Sequence, residues 1–388
     1  MALKIVLTFL LILLVPDLYI YFKFIARLKK NTYLKLLYFL PTLLLLTGLT
    51  CAAYLMGQGP ENEHMIQIQQ FIWILLLFAV PKCVFFLVHM IGKIFIRNRT
   101  ASKILTQTSF ILAFSAFAIL IYGGTRGRSN LETKEITFHS PKLPNSFRGF
   151  RIIQISDLHL GSWFGKEMGI AQIVKTVNEL HPDVILFTGD LVNCRADEAE
   201  RFLPILSQLH APYGIYSIMG NHDYGNYYHW KSSSERTENL QDLQNNQKKI
   251  GWILLNNTHV ILHQESDSIA LIGCENWGEP PFPRYGQLQQ AMRNIEHIPF
   301  KILMTHNPRH WRAEVIPQTD IPLTLSGHTH AMQLRMGHHS PASFVYPEWG
   351  GMYKEGNQSL YVNIGLGVTL LPLRIGACPE VTVITLEK

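Results

Sequence analysis

The sequence predicts an α/β domain carried behind an all-α region of four membrane-spanning helices, and three observations predict it. Up to Gly123 the chain is dominated by Leu, Ile and Phe and holds four long apolar stretches. Beyond that point short apolar runs of strand length alternate with patterns of helical period, which is the signature of α/β architecture. Several of those runs end in clusters of Asp, Asn and His, and open α/β sheets bind ligands beyond the carboxyl ends of their strands.

The apolar stretches run from Ala2 to Phe22, Leu34 to Met56, Ile66 to Ile91 and Ile104 to Tyr122. Each is long enough to cross a hydrocarbon layer about 30 Å thick, which takes about 20 helical residues. The first does not read as a cleaved secretory signal: its apolar run is long, Pro16-Asp17 interrupts it, it lacks a convincing small-residue cleavage site, and three more spans come after it. Core helices of a water-soluble fold are a poorer reading, because four such spans joined by short charged loops are rare there. The first connection carries Lys23, Arg27, Lys29, Lys30 and Lys35, and the third Lys93, Arg97, Arg99 and Lys103. The second, Gly57 to His64, has two glutamates and no Lys or Arg. The positive-inside rule then puts the first and third connections in the cytoplasm and the rest of the chain on the extracytoplasmic face of the cell (inner) membrane, with Arg126 and Arg128 arguing the other way. Asp17, Gln67, Gln69, Gln70, Lys82 and His89 are polar positions within the spans. Most lie near span ends, where snorkelling accounts for them, the alternative being a substrate or proton path.

The formal charge of +6 has no run of five Lys or Arg behind it in the second half. It reflects membrane topology, and no nucleic-acid partner is expected. Five cysteines without C-x-x-C spacing exclude a disulfide framework and a cysteine zinc site. The organisation expected is a transmembrane region over 1–123, a linker and first strand over 124–150, and a globular domain over 151–388.

Within that domain, alternation at Lys134 to His139 and apolar runs at Arg151–Ile155, Val184–Phe187, Ile215–Ile218, Ile253–Leu255, Ile269–Ile272, Ile302–Met304, Leu323–Leu325, Tyr361–Ile364 and Val381–Leu386 predict strands. Glu167 to Leu180 and Glu198 to Leu209 have helical spacing. The residues just beyond the strands are the informative ones. Ile155 leads into Ser156-Asp157-Leu158-His159, Phe187 into Thr188-Gly189-Asp190, and Ile218, after Met219, into Gly220-Asn221-His222-Asp223. Met304 leads into Thr305-His306, and Leu325, after Ser326, into Gly327-His328-Thr329-His330. Asp157-x-His159 and His328-x-His330 each place two ligands on one side of an extended segment. Oxygen and imidazole donors without thiolate suit manganese, iron or zinc. Seven donors, Asp157, His159, Asp190, Asn221, His306, His328 and His330, exceed the needs of one ion, so two divalent ions sharing a carboxylate are expected.

The ordered set D-x-H, G-D, G-N-H-D, H, G-H-x-H resembles the calcineurin-like metallophosphoesterase superfamily. Phe147-Arg148-Gly149-Phe150, Asn363-Ile364-Gly365-Leu366-Gly367 and the segment Arg374 to Glu380 are similar to its membrane-associated bacterial branch with N-terminal transmembrane spans. The resemblance covers about Glu132 to Lys388 and implies a β-sandwich flanked by helices in αββα layers. It implies that Asp157, His159 and His330 hold one ion, that Asn221, His306 and His328 hold the other, and that Asp190 bridges them. His222 is implied to protonate the leaving oxygen or stabilise the transition state, with Asp223 orienting its ring, while water activated between the ions attacks phosphorus. The branch has glycines where this chain has Ala331 and Met332. These do not take positive φ freely, so the turn or pocket floor is expected to differ.

The function expected is a membrane-anchored dinuclear-metal phosphoesterase acting on a phosphate ester or pyrophosphate of a lipid or lipid-linked nucleotide. The alternative is a non-catalytic membrane module that senses phosphoesters. Asn226 to Lys249, opening with Tyr227-Tyr228-His229-Trp230, reads either as a lid or as a solvated loop and helix. Trp277, Phe282, Tyr346 and Trp349 read either as an apolar approach or as core, and Arg374 as a headgroup contact or a partner of Glu380.

Overall fold

The computed structural model describes residues 2–29, 31–57, 65–96, 98–163, 166–280 and 282–388. The acidic connection 58–64, Lys30 and Arg97, all used to orient the spans, lie outside them. The chain divides into two compact units, one built mainly of Met1–Arg126 and the other of Gly127–Leu370 with Arg374–Lys388.

In the first unit, helices long and apolar enough to cross a membrane cover Thr8–Ile25, Thr32–Ala52, Met65–Phe95 and Arg99–Gly127. Three of the polar positions in them are not snorkelling. Asp17 is fully buried, with Lys82 Nζ 2.7 Å away, the Tyr38 hydroxyl donating at 3.1 Å and Thr42 also bonded to it. His89 is buried between the Tyr19 hydroxyl at 2.7 Å and Thr106 at 3.1 Å. A carboxylate far from water needs a counter-charge and donors, and the neighbouring helices supply both.

The second unit contains two six-stranded sheets. Its strands are β1 (Glu132–His139), β2 (Arg151–Ile155), β3 (Val184–Phe187), β4 (Ile215–Ser217), β5 (Ile253–Leu254), β6 (Thr258–Gln264), β7 (Asp267–Gly273), β8 (Lys301–Met304), β9 (Leu323–Ser326), β10 (Gly351–Glu355), β11 (Gln358–Val362) and β12 (Glu380–Glu387). The sheet orders are β1-β12-β2-β3-β4-β5 and β10-β11-β9-β8-β7-β6. Side-chain alternation sorts each central strand between two cores. Ile152, Val184 and Leu186 of the first sheet pack with Ile269, Ile302, Met304 and Leu325 of the second, forming the inner layer. Ile153, Ile155, Ile185 and Phe187 turn the other way, onto Ile170, Ile173, Val174 and Val177 of the helix Glu167–Glu179. On the far side, Ile272, Leu303 and Val362 meet Leu288, Ala291, Trp311 and Val315. Helix, sheet, sheet and helix layers result, the αββα sandwich that the resemblance implies.

Two strands escape the sequence pattern. β6 pairs only with β7 and β10 only with β11, so both are edge strands whose exposed faces carry mixed polar residues. The helix expected over Glu198–Leu209 is two single turns, Asp197–Glu200 and Leu203–Leu206, because Pro204 cannot donate its backbone to a continuing helix.

Candidate metal centre and its surroundings

β2, β3 and β4 are parallel neighbours in one sheet, and β8 and β9 in the other. Their carboxyl ends therefore lie side by side, and all five polar clusters meet there. Asp157, His159 and His330 form one group of ligand atoms, and Asp190, His306 and His328 another, with the atoms of each within 4.8 Å of one another. In the first, His159 Nε2 lies 3.1 Å from His330 Nε2, and His330 Nε2 3.2 Å from Asp157 Oδ1. In the second, Asn221 Oδ1 lies 3.0 Å from His306 Nε2 and 2.8 Å from His328 Nδ1, and the two imidazole nitrogens are 3.2 Å apart. Asp190 serves both: its Oδ2 is 3.5 Å from His159 Nε2 and 3.2 Å from His306 Nε2, while its Oδ1 accepts the His222 backbone N–H at 2.9 Å.

The protonation pattern tests whether cations fit. His306 Nδ1 faces the Thr188 carbonyl at 2.8 Å and His159 Nδ1 the Asn193 amide oxygen at 3.0 Å, so both nitrogens carry hydrogens. Each Nε2 then presents a lone pair toward carboxylate or amide oxygens. Lone pairs at such distances repel unless a cation or proton stands between them. With ligand bonds of about 2.0–2.2 Å, donors sharing one ion lie roughly 3 Å apart, as these do. Without an ion a proton fills the gap. Burial would lower His306, but Asp190 and Asp157 outweigh it and push the imidazole up to about 9. Burial and the neighbouring His306 press His328 down to about 3. Burial likewise opposes the charge on Asp190, yet His306, His222 and His159 hold its carboxyl well below the usual range.

The backbone is bent to present these side chains. Asp157 (φ 51°), His159 (φ 46°), Asp190 (φ 59°), His328 (φ 78°) and His330 (φ 50°) all occupy the left-handed region, at a cost of about 1–3 kcal/mol each. Tight approach of the loops requires glycine at two points. A methyl group on Gly220 would collide with the Asp190 carboxylate, and one on Gly327 with Ser156 and Asp157. Ala331 (φ 51°), Met332 (φ 45°) and Gln333 (φ 59°) also adopt positive φ, so the absence of glycine does not keep this turn out of the left-handed region. Hydrogen bonds hold it: Met332 N–H to the Thr329 carbonyl at 2.8 Å, and the Ser340 hydroxyl to the Ala331 carbonyl at 2.6 Å.

His222 and Asp223 have different surroundings from those the resemblance implies. His222 Nδ1 donates to the Asn193 carbonyl at 2.7 Å, and its ring stacks on Tyr227 at 4.4 Å and meets His159 edge-on at 4.7 Å. Asp223 does not orient that ring. Its carboxylate accepts the backbone N–H groups of Asp190, Leu191, Val192 and Gly220 at 2.8–3.2 Å, tying the β3 and β4 loops together. The cause is geometric: the short helical turn His222–Tyr224 points successive side chains to different sides. Burial and the charge of Asp190 push Asp223 up to about 7. Asp223→Ala leaves four buried N–H groups without their acceptor and is expected to cost about 3 kcal/mol or more, seen as a lower melting temperature by circular dichroism.

Asn193 and Glu198 gain a role only here. Asn193 holds His159 through its side chain and His222 through its carbonyl, and Glu198 in turn accepts the Asn193 N–H at 2.6 Å. The Tyr227 hydroxyl accepts from the Asn221 amide at 2.9 Å, and the Tyr346 hydroxyl lies 3.0 Å from His328 Nε2. Tyr227 and Tyr346 thus touch the centre, whereas Trp277 is buried against His310 and bonds Glu314. Trp349 packs against Ile364, Ala331 and Ala377. Arg374 neither reaches a headgroup nor pairs with Glu380. It is fully buried behind His330, 3.2 Å from its Nδ1, and donates to the carbonyls of Gly367, Ile364 and Ala377. Tyr227, Tyr346 and Arg374 stood out in the sequence with their roles left open, whereas nothing in the sequence marks Asn193.

Comparisons with known proteins bear on the family. Residues 150–332 match the family model described as calcineurin-like phosphoesterase, and residues 3–128 that of a probable calcineurin-like phosphoesterase transmembrane domain. An uncharacterized metallophosphoesterase of Bacillus subtilis is 35% identical over 270 residues, covering 66% of this chain and 86% of that protein. A transmembrane protein with metallophosphoesterase domain of Danio rerio is 28% identical, covering 87% and 77%. The UDP-2,3-diacylglucosamine pyrophosphatase of Chlamydia trachomatis is 27% identical, covering 61% and 84%.

Proposed function

The chain belongs to the calcineurin-like metallophosphoesterases as a membrane protein and metal-dependent hydrolase, and from that premise we propose that it cleaves a phosphate ester or pyrophosphate carried by a lipid or lipid-linked nucleotide. The observation that carries the reading is Asp190, whose Oδ2 serves both groups of donors. In this reading Asp157, His159 and His330 hold one ion, Asn221, His306 and His328 the other, and Asp190 bridges them. The donor set suits manganese, iron or zinc. Two such ions supply Lewis acidity that activates water and takes up phosphoryl charge.

The chain's own groups do the rest. His222, fixed through Nδ1 by the Asn193 carbonyl and flanked by Tyr227, keeps Nε2 available to give a proton to the leaving oxygen. Asn221 offers an amide oxygen that binds without cancelling charge. Asn221→Asp is expected to retain metal while lowering turnover about ten-fold or more, measured as kcat with metal content determined on the same sample. Equal turnover would remove the charge argument.

Two observations favour a lipid substrate: four spans tether the site to a bilayer, and one relative is named for a diacylated nucleotide sugar. The positive-inside pattern favours an extracytoplasmic site. The test is to incubate the purified, metal-loaded protein with a total lipid extract beside Asp190→Ala. Loss of one phosphorylated lipid with the wild type alone is the expected result; hydrolysis of a soluble aryl phosphate with every lipid intact would overturn the lipid assignment.

A further inference from the structure

Four described side chains of the second unit are both apolar and more than half exposed: Met168 (87%), Met336 (84%), Phe344 (92%) and Leu370 (54%). Large apolar groups left in water this far need a reason, and these share a location. Two are linked to the point where the chain enters the unit, and two to the segment Ala331–Arg335 that reaches it. Arg128, four residues before β1, donates to the Ser162 carbonyl at 3.1 Å, and Met168 comes six residues after Ser162. Arg335 reaches Glu132, the first residue of β1, at 3.7 Å, and Met336 comes directly after it. The Ser340 hydroxyl bonds the Ala331 carbonyl at 2.6 Å and so folds the turn bearing Phe344 onto the same segment. Thr369 N–H donates to the Gln333 side chain at 2.9 Å, bringing Leu370 alongside.

The apolar helical span ends at Gly127 and β1 begins at Glu132. Five residue steps reach at most about 18 Å, so the start of β1 lies within that distance of the end of the span. Met336 and Leu370 lie in loops, Phe344 closes the short helical turn Pro341–Phe344, and Met168 is in the first turn of the helix Glu167–Glu179; Lys166 and Arg335 are close neighbours of two of them in the chain. Exposed apolar side chains with adjacent cations match the boundary between headgroups and acyl chains.

We propose that Met168, Met336, Phe344 and Leu370 form a rim that enters the bilayer interface, so that the site receives its phosphoester at the headgroup level of the membrane. Delivery of a phosphoester rests on the reaction assigned above; insertion of the rim does not. The rim and the site are continuous: Tyr346, two residues after Phe344, is the side chain that meets His328 Nε2 at 3.0 Å, and Met332 stands two residues after His330. A substrate whose phosphate lies in the interface then approaches the donors without leaving the lipid phase.

The test uses the full chain in phosphatidylcholine and phosphatidylglycerol vesicles containing a phospholipid with a diazirine at the end of its acyl chain. After irradiation, peptides bearing Met336 and Phe344 are expected to be labelled about five-fold more than the peptide bearing Ile253, a half-exposed residue on edge strand β5. Met336→Asp with Phe344→Asp is expected to bring the rim to the Ile253 level with labelling of the spans unchanged. A wild-type rim labelled no more than Ile253 overturns the proposal. Against a phosphorylated lipid in the same vesicles, the double variant is expected to lose about ten-fold in turnover while a soluble aryl phosphate is hydrolysed within about two-fold of the wild-type rate. Equal losses on both substrates, or none, overturn delivery from the interface. A wild type that hydrolyses neither substrate removes the assigned reaction, and with it delivery of a phosphoester; labelling still decides the rim.

Discussion

Asp190→Ala is expected to release both metal ions and to lower phosphoesterase turnover by about 10³-fold or more. Asp190 is the one carboxylate placed toward both groups of donors, 3.5 Å from His159 Nε2 and 3.2 Å from His306 Nε2. Removing it leaves Asp157 as the one carboxylate among the remaining donors, too little negative charge to balance a divalent pair. Asp157→Ala removes a ligand from the His159–His330 group alone, though its carboxylate also accepts the His328 backbone N–H at 3.1 Å, and is expected to release one ion of the two. Metal analysis of the two variants side by side, with circular dichroism to confirm that both are folded, separates a bridging carboxylate from an ordinary ligand. Retention of both ions in Asp190→Ala would dismiss the bridge.

His222→Ala is expected to lower turnover by about 10²–10⁴-fold while both ions remain, because the Asp157–His159–His330 and Asp190–His306–His328 groups are complete without it, although its ring also comes within 4.8 Å of the ligand atoms of His159 and Asp190. A proton donor matters most when the departing oxygen is basic. The loss is therefore expected to be large for an alkyl ester and small for an activated aryl ester, compared as kcat on the two substrates. An equal loss on both would show that His222 acts on the phosphoryl group rather than on the leaving oxygen. Asp223→Ala separates the neighbours: its first effect is on stability, since its carboxylate meets backbone N–H groups and not the His222 ring.

Much of the second unit was legible because its central strands are short, continuous apolar runs between two packed layers. Val184–Phe187 is buried at every position, and its bounds agree with the pattern. β6 and β10 were not, since an edge strand with one solvated face carries a weaker alternation. Within the spans, the sequence displays Asp17 and Lys82 as isolated polar residues 65 apart, and only helix packing makes them an ion pair at 2.7 Å.

By itself the sequence determined the four apolar helices and the identity and order of the seven side chains that gather at the sheet edge. Both are local properties: hydropathy is read over one helix, and each donor lies within a few residues of a strand end. The tertiary structure alone decided which group holds which. His222 is held by Asn193, 29 residues away, rather than by the adjacent Asp223, and His159 faces His330 across 171 residues. The physical reason is that strand order in two packed sheets, not spacing along the chain, sets which loops meet, and the left-handed backbone at Asp157, His159, Asp190, His328 and His330 then aims their side chains inward.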